Sequence, residues 1–108
     1  MKSAENKGMK WVEIIKLRSA GKAPEPLKAF FSMIARNGHS GLIEMRIYRH
    51  AAWETDWSLH LHWESEEPEK DGSALGLRLS QALKEFGLID HSTWIEEVLI
   101  NSIRGEGK

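Results

Sequence analysis

Two stretches of the chain alternate apolar and polar residues, and they lie close together. In Leu42 to His50 (LIEMRIYRH), Ile43, Met45 and Ile47 fall on one side, and Glu44, Arg46, Tyr48 and His50 on the other. In Trp57 to Glu64 (WSLHLHWE), Trp57, Leu59, Leu61 and Trp63 oppose Ser58, His60, His62 and Glu64. Successive side chains of a strand point to opposite faces, so each stretch reads as a strand with one apolar and one polar face. The linker Ala51 to Asp56 is short, which makes the two strands an antiparallel hairpin. A sheet covered on one side only carries this pattern.

The rest of the chain supplies what covers that sheet. Trp11 to Arg18 (WVEIIKLR) is rich in β-branched and aromatic residues and reads as a strand ending at Ser19-Ala20-Gly21. Pro24-Glu25-Pro26 leads into a helix, because Pro suits a first turn. Leu27, Phe30, Phe31 and Ile34 form its apolar stripe, and Asn37-Gly38 closes it. After a charged loop, Glu66 to Ser73, a second helix is predicted over Ala74 to Phe86. Its stripe is Leu75, Leu79, Ala82, Leu83 and Phe86, with Ser73 as N-cap and Gly87 as terminator. Thr93 to Ile100 (TWIEEVLI) is the last predicted strand. The expected order is β-α-β-β-α-β: a ferredoxin-like α+β domain over residues 11–100, its four-stranded antiparallel sheet carrying both helices on one face. Residues 1–10 and 101–108 are expected to be flexible ends.

Composition narrows the partners. A chain of 108 residues, 41% hydrophobic with five Trp, suits one domain with a real core. Fifteen Lys and Arg against sixteen Asp and Glu give a net charge of −1, without the basic excess of a nucleic-acid binder or a polybasic membrane-surface protein. The absence of cysteine excludes disulfides, thiolate nucleophiles and Cys-ligated metals. MKSAENKGMK lacks the apolar region of a signal peptide, and no apolar run approaches a membrane span, so a cytoplasmic location is expected.

Trp63-Glu64-Ser65 closes the third predicted strand, and Phe86-Gly87-Leu88-Ile89-Asp90 turns into the last one. With the element order, these features resemble the dimeric α/β-barrel superfamily, whose broadest members are antibiotic-biosynthesis-monooxygenase-like domains. The likeness spans Trp11 to Leu99. It implies a homodimer with two sheets face to face and a cavity between the sheets or between sheet and helices. Cofactor-free monooxygenases, haem-degrading enzymes and muconolactone isomerases share that architecture. The helical histidine of the haem-degrading members has no counterpart in Ala74 to Phe86, and fold does not fix function.

The candidate site is the polar row of the hairpin. His60 and His62 share one face of their strand, opposite some of Glu44, Arg46, Tyr48 and His50, and directly opposed side chains approach to about 5 Å at Cβ. One reading is a small-molecule pocket in which Arg46 binds an acidic group while Tyr48 and the histidines serve as hydrogen-bond donors or a general base. The resemblance adds a cofactor-independent oxygenase or isomerase activity, with no cofactor expected. A second reading is a protein-docking or regulatory surface. A third is a divalent-metal site on His60 and His62 with His50 or Glu64 as third ligand. Against all three stands a merely solvated sheet face, which antiparallel sheets commonly show. Val12, Ile14 and one side of the last strand (Ile95 and Leu99, or Val98 and Ile100) are expected to add apolar surface there, favouring a homodimer. Asp90-His91-Ser92 reads as a turn, Gly72-x-x-x-Gly76 is not a phosphate loop, and Trp53 is expected to be exposed in the hairpin loop.

Overall fold

The computed structural model describes residues 8–20, 29, 32, 38–98 and 100. Along them run strands β1 (Met9–Ser19), β2 (Leu42–Arg49) and β3 (Asp56–Ser65), the helix α1 (Ala74–Leu83), and strand β4 (Gly87–Ile95). All pairings are antiparallel, and the order across the sheet is β2-β3-β1-β4. This is an α+β fold: one four-stranded sheet and, among the described residues, one continuous helix. Of the earlier predicted helix, Ala29 and Ser32 are helical and exposed; its stripe of Leu27, Phe30, Phe31 and Ile34 lies outside the described residues.

Alternation decides which side of the sheet is covered. Trp11, Ile15 and Leu17 of β1 and Leu59, Leu61 and Trp63 of β3 are buried, and they meet Leu75, Leu79 and Leu83 of α1. Each such side chain contributes about 2 kcal/mol by leaving water. Trp11 and Trp63 are register partners, and their rings stack with centroids 5.4 Å apart. On α1 the three leucines recur every four residues, which keeps them on one face. Ser73 caps the helix as expected, its hydroxyl accepting from the Gly76 amide at 2.9 Å.

Four boundaries and faces depart from the sequence reading. First, β1 starts at Met9, inside the stretch expected to be flexible, because Met9 and Lys10 pair with Ser65 and Glu64. Second, α1 stops at Leu83 rather than Phe86. Lys84, Glu85 and Phe86 donate to carbonyls only three residues back, so the last turn tightens out of the α-helix. Third, β4 covers Gly87–Ile95, not Thr93–Ile100, since its backbone pairs with β1 from Ser19 to Trp11. Asp90-His91-Ser92 is therefore mid-strand and not a turn. Val98 and Ile100 lie beyond β4, and Leu99 is outside the described residues.

The fourth departure concerns Ile43. Between Leu42, which faces Trp63, and Glu44, which faces His62, β2 contains one extra residue. This β-bulge shifts the alternation by one position. Leu42 then joins Met45 and Ile47 against the core, while Ile43 is left 53% exposed. The remainder of β2 keeps the expected faces.

Candidate functional site

The uncovered sheet face is ordered by register into rows. Reading β2-β3-β1-β4, one row is Glu44, His62, Val12 and Trp94. The next is Arg46, His60, Ile14 and Ser92, and the next Tyr48, Ser58, Lys16 and Asp90. Five of the six predicted ligand-binding residues, Glu44, Arg46, Tyr48, His60 and His62, thus come together on this face. His50, the sixth, falls just past β2. Its Nδ1 accepts the backbone amides of Ala52 at 2.9 Å and Trp53 at 3.1 Å, which ties the ring into the hairpin turn.

Contacts within the rows concentrate on His60. Its Nε2 is 2.8 Å from Ser58 Oγ, and its ring lies 4.7 Å from the Tyr48 ring, tilted by 55°. The His62 ring is 6.3 Å away. Partial burial, then the charges of His62 and Lys16, push the His60 pKa below its ordinary value and favour the neutral imidazole. Arg46 forms an ion pair with Glu44, and its Nη1 is 3.4 Å from Tyr48 Oη. Those two hydrogen bonds, Tyr48's first, raise the guanidinium pKa, so it stays charged. A neutral base beside a fixed cation and a phenol is suited to taking a proton while the cation holds the anion that results.

The metal set is not assembled. Glu64 pairs in register with Lys10, His50 is held in its turn, and the His60 and His62 rings lie 6.3 Å apart. Among the described residues, no group of three His, Asp or Glu is arranged to hold a metal ion.

Among the described residues the densest polar cluster lies on the other face, and the sequence reading missed it. Glu13 of β1 is fully buried. Its Oε1 accepts Trp63 Nε1 at 2.9 Å and Ser73 Oγ at 2.6 Å. Its Oε2 accepts the Ser73 amide at 2.9 Å and lies 2.8 Å from Nε2 of His91, whose side chain is 13% exposed. The carboxylate therefore ties β1 to β3, to β4 and to the first turn of α1, where the helix dipole favours negative charge. Gly72 and Gly76 make room for it, since a Cβ at either would strike His91 or Glu13. The signal was present: alternation in WVEIIKL sets Glu13 on the side of Trp11, Ile15 and Leu17, and an acid there needs partners.

No protein family matches the chain, and neither does any curated protein or solved structure. Among the described residues, no helix is long and apolar enough to cross a membrane.

Proposed function

We propose that the open sheet face binds a small organic molecule, acidic or aromatic, and that His60 acts on it as a general base. The observation that carries this reading is the meeting of Arg46, Tyr48, Ser58 and a His60 biased toward its neutral form. The chemistry that suits them is proton removal from a phenolic or enolisable group, the opening step of cofactor-independent oxygenation or isomerisation. Arg46 offsets the anion formed, and Ser58 Oγ orients the imidazole.

The fold belonging to this reading is ferredoxin-like, of the dimeric α/β-barrel kind. The strand order β2-β3-β1-β4, wholly antiparallel, supports it, with the β2–β3 hairpin on one side of β1 and β4 on the other. A second copy of the chain would cover the open face. Apolar surface among the polar rows supports that pairing: Ile43 is 53% and Trp94 58% exposed there, with Val12 and Ile14 half-buried beside them.

The test is a thermal-shift screen of a metabolite panel on the parent and on His60→Ala, with sedimentation velocity on both. Ligands that stabilise the parent should lose most of their shift in the variant, and the parent should sediment as a dimer. Equal shifts in both proteins would remove His60 from any site, and a monomer at high micromolar concentration would remove the second copy.

A further inference from the structure

At the end of the open face away from the hairpin turn lies a recess of about 460 Å³, lined by Val12, Ile43, His62 and Trp94 among others. That volume falls within the range of small-molecule pockets, roughly 300 to 1,000 Å³. Val12 on β1 and His62 on β3 are register partners and half-buried, and they form its floor. The edge strands supply the walls, Ile43 from β2 and Trp94 from β4. Neighbouring strands are about 4.8 Å apart, so the walls stand roughly 14 Å apart at the backbone.

Both walls offer hydrocarbon. Trp94, 58% exposed, has the one polar atom of its side chain spent: Nε1 donates to Ser92 Oγ at 2.8 Å, which leaves the carbon surface of the ring for a guest. Ile43, 53% exposed, is the residue that the β-bulge turns away from the core side of Leu42, Met45 and Ile47. The charges nearby are engaged or face outward. Glu44 pairs with Arg46, and Lys10 and Glu96 are exposed on the outer rim. Apolar surface set in a recess favours the hydrocarbon part of a ligand over an ion.

The recess is continuous with the His60 cluster. The His62 ring, part of its floor, lies 6.3 Å from that of His60. Successive rows are about 7 Å apart along a strand, close to the length of a phenol from its oxygen to its para substituent. We infer that the ligand of the open face is a phenol or enol bearing an apolar substituent at its far end, with the acidic hydroxyl at His60 and the substituent between Ile43 and Trp94. This rests on the reading of His60 as a base and adds the other half of the ligand. A guest so placed would lie between the sheets if a second copy covers the face.

The probes are phenol, 4-ethylphenol and 4-butylphenol, titrated by calorimetry into the parent, Ile43→Ser, Trp94→Ala and His60→Ala, with sedimentation velocity at each end point. Burying a methylene strengthens binding roughly fourfold, so the parent should prefer butyl to ethyl by about tenfold. Ile43→Ser and Trp94→Ala, both at exposed positions, should each cut that preference to about threefold or less and leave phenol within about twofold of the parent. His60→Ala should weaken all three ligands by a similar factor and keep the preference. A parent preference near one, a preference undiminished in both wall variants, or no binding of 4-butylphenol at millimolar concentration would overturn the recess. The His60 reading survives the first two results if His60→Ala still weakens phenol. Equal binding of all three ligands to His60→Ala and the parent would overturn that reading and this inference with it. An alkylphenol that converts a dimer to monomers would show that side chains of the second copy fill the recess, and would overturn the inference as well.

Discussion

The Glu13 carboxylate lies where a side chain at position 76 would begin, so that a Cβ on Gly76 would collide with its Oε2 and Cδ. The carboxylate is not free to step aside, because Trp63, Ser73 and His91 hold both its oxygens. In an exposed helix Gly→Ala stabilises by about 1 kcal/mol. Here the sign should reverse: Gly76→Ala should cost about 2 kcal/mol, the range for overpacking a tight interior. Urea unfolding of the parent and the variant measures it. In a Glu13→Ala background the same change should no longer destabilise, and an unaltered cost there would show that the collision is elsewhere.

Replacing Glu13 itself tests the cluster from the other side. Gln keeps the shape but sets an amide N–H₂ against donors that need an acceptor. Glu13→Gln should lower stability by about 2 kcal/mol, as expected when a buried acceptor filled by hydrogen bonds is replaced by a group that sets a donor against donors. The exposed pair Arg18–Asp56 is the control, with the Arg18 side chain 70% exposed. Arg18→Ala should cost less than about 1 kcal/mol. Chemical denaturation of the two variants side by side decides it, and comparable losses would mean Glu13 is not the anchor described.

What could be read from the residues depended on whether periodicity alone carried the information. The β2–β3 hairpin was legible, since Leu59, Leu61 and Trp63 alternate with His60, His62 and Glu64, and a one-residue slip would bury the histidines. Ile43 was not, because a bulge is a backbone event that leaves the residue pattern unchanged. The position of β4 was hidden by composition: Asp90-His91-Ser92 has the residues of a turn, yet it lies in register with Lys16, Ile15 and Ile14.

The Glu13 cluster was legible only in pieces. Gly72 and Gly76 stood out by their spacing, but their use as space for a carboxylate 59 or more positions earlier in the chain required the tertiary fold. Ser73 was readable as an N-cap, and its second bond, to Glu13, was not. On the open face Glu44, Arg46, Tyr48, His60 and His62 were foreseen, whereas the β4 members of the rows, Trp94, Ser92 and Asp90, were not, and the diversion of His50 into the turn depended on backbone amides that no side-chain pattern reports.

The His60 environment predicts a pH dependence with a definite sign. Burial first, then His62 and Lys16, depress its pKa in the folded state below the ordinary value of 6.5. Between that value and the lower folded one, the unfolded chain binds more protons, so protonation favours unfolding. The contribution is complete above about pH 6.5 and is lost as pH falls through the folded pKa. His60→Gln should therefore lose less stability than the parent between pH 7 and pH 5, read as unfolding free energies at each pH. Parallel curves would mean that Lys16, His62, Arg46 and Tyr48, the groups facing His60, leave its titration unchanged on folding.

Two tryptophans of β3 put the value of one hydrogen bond within reach. Trp63 and Trp57 lie on the same face of the strand, and Trp→Phe removes much the same apolar surface from each. Their indole N–H groups differ. That of Trp63 donates to Glu13 Oε1, whereas that of Trp57 is buried without an acceptor among the described residues. Removing an unsatisfied buried donor relieves a cost, and removing one bonded to a carboxylate forfeits roughly 1.5 to 3 kcal/mol. Trp57→Phe should accordingly lie within about 1 kcal/mol of the parent, its smaller ring offset by the lost N–H. Trp63→Phe should be worse by about 2 kcal/mol, and it should also disturb the stack with Trp11. Equilibrium unfolding monitored by far-UV circular dichroism avoids the fluorescence changes that either substitution brings. Equal losses would mean that the Trp63–Glu13 bond adds nothing beyond packing, and the account of Glu13 as an acceptor filled by four donors would have to be abandoned.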